Sequence, residues 1–212
     1  MSPPRIDAAL SAKARRHLSR RDPVLKQVAA RVGACTLVPD GDCFGILARS
    51  IVSQLISTAA ARTIGARLLT ALGDAGLTPA GLVALGEEKL RGCGLSGAKA
   101  KALLDLAGRA QSGVLPLARL PVMEDAEVEE HLTAVRGIGV WTAQMFLIFC
   151  LGRPDVLPVG DLGLRAGVKD QYGLDELPSA KNLVELAAPW RPYRSIATWY
   201  LWRSRGGVPQ SD

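Results

Sequence analysis

One carboxylate, Asp161, stands in the otherwise uncharged run VLPVGDLGL, at the point where a helix should begin. Upstream, Gly137-Ile138-Gly139 separates two apolar-periodic segments, and Val140-Trp141-Thr142-Ala143 resumes a helix directly after the second glycine. Glycines at 137 and 139 permit backbone conformations and close approach that a side chain would forbid. The first amides of the following helix have no acceptor within it. A tight turn feeding a helix start could therefore clamp an anion such as a backbone phosphate, positioning it without reading any base. A plain helix–turn–helix corner, its glycines relieving strain, accounts for the same residues. Asp161 reads either as the N-cap of its helix or as a charged group able to stabilise a developing cation, and the two roles are compatible.

The elements that must position these residues read as helices almost throughout. At 212 residues the chain can form one domain or two small lobes. Phe44, Leu47, Ile51, Leu55 and Thr58 recur at helical spacing, which makes Leu55 a core residue by periodicity. Asp22-Pro23 and Thr78-Pro79 are cap-plus-proline starts, and Ser96 is a third cap. Helices are expected over 22–32, from 44 onward, and over 60–72, 78–85, 99–111, 123–134, 141–151, 161–172, 180–188 and 192–203. Strand signals at 35–39 and 156–159 are weak, and the tail after Gly206 is expected to fray. The expectation is an all-α protein of about nine to eleven short helices. The glycine- and proline-bearing stretch 112–121 is the best boundary. It would place 1–40 with 120–212 in one lobe, 41–119 in a central bundle, and the hairpin motif at 132–143 with the former.

Lys and Arg outnumber Asp and Glu by 26 to 20, a net charge of +6. Arg5, Lys13, Arg15, Arg16, Arg20, Arg21, Lys26 and Arg31 crowd the first segment, and Arg191, Arg194, Arg203 and Arg205 mark the last. If the chain ends meet, this charge forms one face suited to a polyanion; otherwise it is ordinary solvation. Cys35, Cys43, Cys93 and Cys150 lie far apart, without the close pairing of a zinc or iron–sulfur site. No signal-peptide pattern opens the sequence, and no segment reaches the roughly 18 apolar residues of a membrane span. A soluble cytoplasmic protein without a membrane partner is expected.

The segment LTAVRGIGVWTAQMF resembles the helix–hairpin–helix signature, and PVGDLGL resembles the segment carrying the essential aspartate of the helix–hairpin–helix DNA glycosylase superfamily. SQLIS, GLSGAKAKAL and PWRPYRSIATWYLWR extend the resemblance, in the family's order, across residues 44–203. They point to its 3-methyladenine DNA glycosylase II, or AlkA-like, branch. The resemblance implies a bilobal all-helical fold, here without a large N-terminal β domain. It implies a monofunctional N-glycosyl hydrolase that flips alkylated bases out of duplex DNA. Candidate substrates are 3-methyladenine, 7-methylguanine, 1-methyladenine and ethenoadenine.

By the same resemblance Asp161 is the catalytic aspartate, and Gln54 and Leu55 fill the gap left by the flipped nucleotide. Gly137, Gly139, Val140 and Thr142 become phosphate-binding positions, with backbone carbonyls of Thr133, Val135 and Ile138 holding a structural Na+ or K+. Trp141 stands where lyase-active relatives carry a Schiff-base lysine, so strand cleavage through a covalent amine is not expected. Trp141 could also face a cationic base, an attraction of roughly 0.5–2 kcal/mol. Trp190 and Tyr193 are further pocket nominations, against the alternative of aromatic packing. Lys99 and Lys101, in the first turns after Ser96, are either phosphate contacts or a solvated face. The expected partner is alkylated duplex DNA. No cofactor for catalysis, no iron–sulfur cluster and no obligate protein partner is expected; a monomer suffices.

An N3- or N7-alkylated purine is a cationic leaving group and needs little acid assistance. What requires stabilisation is the oxocarbenium-like sugar, and an ionised Asp161 could supply it while orienting the attacking water. Two rival readings are a non-catalytic helix–hairpin–helix DNA-binding module and a glycosylase for mismatched or oxidised bases.

Overall fold

The computed structural model describes residues 3–208. Among them the chain forms eleven α-helices and three short 3-10 turns, and no strand. The weakly extended stretches at 35–39 and 156–159 are irregular. The expected fraying beyond Gly206 lies, from residue 209 on, outside the described residues. No helix among the described residues is long and apolar enough to cross a membrane.

The chain divides into two compact units, one built on Asp40–Phe146 and the other on Pro4–Pro39 with the chain from Leu147. The division therefore falls within a helix rather than in 112–121, and the hairpin segment 132–143 goes with the central helices rather than with the terminal ones. The physical reason is that 112–121 is not a linker. Leu115 and Leu120 are 1% and 0% exposed, so the stretch is anchored in a core despite its glycine and prolines.

The central unit contains α3 (Cys43–Ser53), α4 (Thr58–Leu72), α5 (Pro79–Gly92), α6 (Gly97–Ser112), α7 (Asp125–Thr133) and most of α8 (Val140–Phe149). Side-chain caps set their starts: Asp42 accepts from the Gly45 amide, Ser57 from Ala60, Thr78 from Gly81 and Ser96 from Lys99. Glu124 and Glu127 close a capping box on α7. The helix expected to end near 85 continues to Gly92 across a kink at Gly86, whose φ of 75° is open to glycine. The stripe from Phe44 holds through Leu47 and Ile51, both fully buried, and then stops because α3 ends at Ser53.

The other unit contains α1 (Ala8–Arg21), α2 (Pro23–Val32), α9 (Leu162–Tyr172), α10 (Ala180–Leu186) and α11 (Arg194–Ser204). α11 is buried from Ser195 to Trp202 and forms the centre of this core. α1 contributes Ser11, Ala14 and Leu18, and α2 contributes Leu25, Val28 and Ala29. Asp22 joins the two helices: its Oδ1 accepts the Val24 and Leu25 amides, and its Oδ2 accepts the Trp190 indole N–H at 2.9 Å and the Tyr172 hydroxyl. Burial and the Asp22 carboxylate push the Tyr172 phenol well above its ordinary pKa.

The C-terminal arginines of this unit are engaged by its own acidic and aromatic groups. Arg194 forms a fork on Asp155 at 2.7 and 2.9 Å, Arg191 reaches the same carboxylate at 3.1 Å, and Arg205 pairs with Asp170. Arg203 lies over the Trp199 ring.

Candidate functional site

The hairpin in the central unit is built by short-range backbone bonds. The Ile138 amide donates to the Val135 carbonyl at 3.1 Å, and the Ala143 amide donates to the Gly139 carbonyl at 3.0 Å, opening α8. Leu132, Val135 and Ile138 are buried, so the turn is pinned from below by its apolar residues. Asp105 of α6 fixes its approach, accepting the Arg136 amide at 2.8 Å while holding Arg109.

The two glycines differ. Gly137 has φ 77°, and a Cβ there would meet the Ala102 Cβ at 3.2 Å, so both conformation and packing demand glycine. Gly139 has neither constraint: a Cβ would meet nothing within 4 Å. Its bare backbone borders open space at the start of α8, where first-turn amides have no helical acceptor. Gly137, Gly139, Val140 and Trp141 are exposed, as is Thr133, whereas the Thr142 side chain is buried and leaves only its backbone amide for an external anion.

Gln54 and Leu55 follow the last turn of α3. Leu55 has φ 56° and is 104% exposed. The periodic reading that made it core is corrected here, because the helix ends two residues earlier and the left-handed backbone turns the side chain outward. A leucine in that conformation is strained by roughly 1–2 kcal/mol, and the position after a helix cap usually takes glycine or asparagine. The loop is nevertheless held on both sides. The Gln54 carboxamide donates to the Gly137 carbonyl at 2.9 Å, and the Lys99 ammonium donates to the Val52 carbonyl, at the C-terminal end of α3, at 2.7 Å. A cation on a helix C-terminus is a favourable placement. Partial burial lowers the Lys99 pKa from its ordinary value. Lys99 thus has an internal partner that the sequence did not indicate, whereas Lys101 is exposed.

Asp161 belongs to the other unit. It caps α9 as expected, its Oδ1 accepting the Leu164 amide at 2.6 Å. The same oxygen accepts the Trp202 indole N–H at 2.8 Å, and Asp161 is only 5% exposed. Two N–H donors and the positive end of α9 offset the cost of burying the carboxylate. Trp202 is itself fixed by stacking on Phe149, with centroids 5.8 Å apart. Gly163 makes this pair possible. A Cβ there would approach the Asp161 carboxylate at 3.2 Å and the Trp202 ring at 3.3 Å. One turn later, a Cβ on Gly167 would meet the Leu201 carbonyl at 3.0 Å, so the two glycines let α11 pack close on α9.

Trp202 and Gly163 are the site residues that sequence reasoning missed. The glycine pair four residues apart was a readable sign of close helix packing; nothing in the spacing identified Trp202 as the partner. Trp190, nominated for the pocket, is corrected: it is fully buried, packs near Tyr172 and commits its indole N–H to Asp22. Tyr193 is 7% exposed and lies edge-on to His17, with centroids 5.2 Å apart. Trp141, at 41%, is the most exposed of the nominated aromatics. Among the described residues no three His, Cys, Asp or Glu side chains converge to hold a metal ion.

Comparison with known proteins places this geometry in context. The family model described as HhH-GPD superfamily base excision DNA repair protein matches residues 48–192. The alkylbase DNA glycosidase-like protein mag2 of Schizosaccharomyces pombe is 34% identical over 197 residues, covering 90% of this chain and 92% of that protein. Among solved structures, the 3-methyladenine DNA glycosylase Mag1 of the same organism, in complex with abasic DNA, superposes with a TM-score of 0.77 at 30% identity, covering 92% and 98% of the two chains. A DNA-3-methyladenine glycosidase from Bacillus halodurans gives a TM-score of 0.81 at 37% identity, covering 90% and 87%.

Proposed function

Because the chain belongs to the HhH-GPD superfamily of base excision DNA repair proteins, we propose that it is a monofunctional 3-methyladenine-type DNA glycosylase, an N-glycosyl hydrolase acting on alkylated bases in duplex DNA. The observation that carries this reading is the Asp161 carboxylate. It is buried, aimed by the Trp202 indole and the Leu164 amide, and carried by the segment PVGDLGL, which resembles the family's aspartate segment.

Where the flipped base is an N3- or N7-alkylated purine, its ring is already cationic and departs without a strong general acid. As the C1′–N bond breaks, positive charge grows on the sugar. A carboxylate held by fixed donors can stabilise that charge without reorganising, and it can orient the water that attacks C1′. The proton of that water is released as the C1′–O bond forms. The residue at 141 is tryptophan, so no amine is supplied there for a covalent sugar intermediate. Its exposed ring offers a π-face to a cationic base.

The exposed backbone of Gly137, Gly139 and Val140 and the amide of Thr142 receive phosphates, setting DNA register without reading sequence. Leu55 enters the base stack, offsetting part of the cost of unstacking, with Gln54 beside it. The carbonyls of Thr133, Val135 and Ile138 form a neutral all-oxygen donor set, which suits Na+ or K+ rather than a soft metal. The Val135 carbonyl, although it accepts the Ile138 amide, retains a second lone pair. One carboxylate and one hairpin per chain make a monomer sufficient. The substrates proposed are 3-methyladenine and 7-methylguanine, with 1-methyladenine and ethenoadenine as further members.

The test is release of free base from alkylated duplex DNA, without added nucleotide or divalent metal. Wild-type protein should release base, and Asp161→Asn should lose release while still binding DNA. DNA binding without release by the wild type would instead identify a non-catalytic hairpin module, and full activity in Asp161→Asn would remove Asp161 from the mechanism.

A further inference from the structure

Lys13, Arg16, His17, Arg20 and Arg21 recur at i, i+3, i+4, i+7 and i+8 along α1. That spacing puts them on one helical face. The face opposite carries Ser11, Ala14 and Leu18 into the core. With Tyr193, the five basic residues line an open groove of ≈ 290 Å³. Its floor is ordered: the His17 ring rests edge-on against Tyr193, and His17 Nε2 lies 3.4 Å from the Pro189 carbonyl oxygen.

Lys13, Arg16, Arg20 and Arg21 are exposed, and none makes an ion pair among the described residues. This separates them from the arginines near the other chain end, of which Arg191 and Arg194 share Asp155 and Arg205 holds Asp170. The two acidic residues flanking α1 are engaged elsewhere: Asp7 caps the helix, and Asp22 is buried under the α2 amides, Tyr172 and Trp190. Like charges three and four residues apart repel and destabilise a helix on their own. An anionic partner would reverse that sign.

We propose that the α1 face of Lys13, Arg16, His17, Arg20 and Arg21, with Tyr193, is a second DNA-backbone binding track, separate from the hairpin. The shape of the array favours a linear polyanion over a compact one. At about 1.5 Å rise per residue, the rungs lie roughly 5 Å apart and the stripe extends for roughly 12 Å. Three guanidinium forks suit the phosphate oxygens, each able to engage two at once. The track reads no base, and it adds to the counterion release produced elsewhere on the protein. It rests on the glycosylase reading for its ligand class, but not on Asp161 or on base release.

The experiment is equilibrium binding of the full chain to an undamaged duplex, by fluorescence anisotropy, between about 50 and 200 mM salt. The variant is Lys13→Gln/Arg16→Gln/Arg20→Gln/Arg21→Gln, compared with a neutralised control, Arg62→Gln/Lys89→Gln/Arg91→Gln, whose three residues lie on α4 and α5. The track variant should lose about tenfold or more in affinity at the low-salt end. Its slope of log Kobs against log salt should become shallower by about 0.9 for each phosphate it no longer neutralises, roughly 2–4 in total. Base release at saturating enzyme should be unchanged, and Arg16→Lys/Arg20→Lys/Arg21→Lys should keep most of the slope. An unchanged slope overturns the track, and so does an equal loss per charge in the control, which would show bulk charge only. If the quadruple variant fails to fold by circular dichroism, Arg16→Gln/Arg20→Gln decides with an expected slope change of roughly 1–2. Absence of base release by the wild type would defeat the glycosylase reading and leave this binding comparison intact.

Discussion

Leu55 and Asp161 each violate the rule for their residue type, in opposite directions. Leu55 is an aliphatic side chain fully in solvent on a left-handed backbone; Asp161 is a carboxylate 5% exposed. The difference lies in where compensation comes from. Asp161 is compensated within its own unit by the Leu164 amide, the Trp202 indole and the start of α9. Leu55 receives no such return: its loop is held firmly by Gln54 and Lys99, yet the side chain itself covers nothing. A strained residue retained in such a position points to a gain realised outside the chain. Under the proposed function, the carboxylate serves chemistry that must be ready beforehand and the leucine a contact made only on DNA.

That contrast can be broken most forcefully at Asp161. Asp161→Asn keeps the cap geometry, since asparagine caps as well as aspartate, but removes the charge. Base release should fall by about 10²–10³-fold, as for loss of a fixed electrostatic stabiliser, with duplex affinity retained; single-turnover kinetics and anisotropy separate the two. Next in size is Trp202→Phe, which can keep the stack on Phe149 but deletes the indole donor. A hydrogen bond to a charged group is worth about 1.5–3 kcal/mol, so the single-turnover rate should drop by about 10–100-fold, with little change in binding.

Leu55→Gly should divide stability from activity. Glycine relieves the left-handed strain, so stability should hold or rise, by about 1 kcal/mol at most, and the thermal midpoint with it. Excision from paired duplex should fall by roughly tenfold, with a smaller loss when the lesion lies opposite a gap. A lowered midpoint would mean that Leu55 supports the fold after all. The smallest effect is expected from Lys99→Met, which removes the bond to the Val52 carbonyl. A loss of about 1 kcal/mol in stability should accompany a modest fall in excision from paired DNA. Lys99→Arg should rescue it in part; an unaltered paired-to-gapped ratio would make Lys99 a stabilising residue only.

The parts of the fold legible in the sequence were those set by neighbours in the chain. Asp22, Thr78, Ser96 and Asp161 cap helices as read, because a cap bonds amides two or three residues away. The hairpin was readable for the same reason, although only Gly137 proved to need glycine for conformation and packing. Periodicity failed at Leu55 because helical spacing can persist in letters after the helix has ended. It also gave no means of ranking the tryptophans: Trp190 and Trp202 lie twelve positions apart in one aromatic segment, yet one serves Asp22 and the other Asp161.

By itself, then, the sequence determined an all-helical chain, its cap positions, the glycine hairpin, the lone carboxylate of the run 156–164 at a helix start, and through its motifs the family. The tertiary structure alone decided that Leu55 is presented to solvent, that Lys99 secures the end of α3, and that Trp202 aims the carboxylate while Trp190 does not. It also decided that 112–121 is anchored through Leu115 and Leu120 rather than forming a boundary. The physical reason is the range of the interactions. Caps and turns are closed by backbone groups a few residues apart, whereas a hydrogen bond spanning 41 positions, as between Trp202 and Asp161, exists only after α11 has packed on the Gly163–Gly167 face of α9.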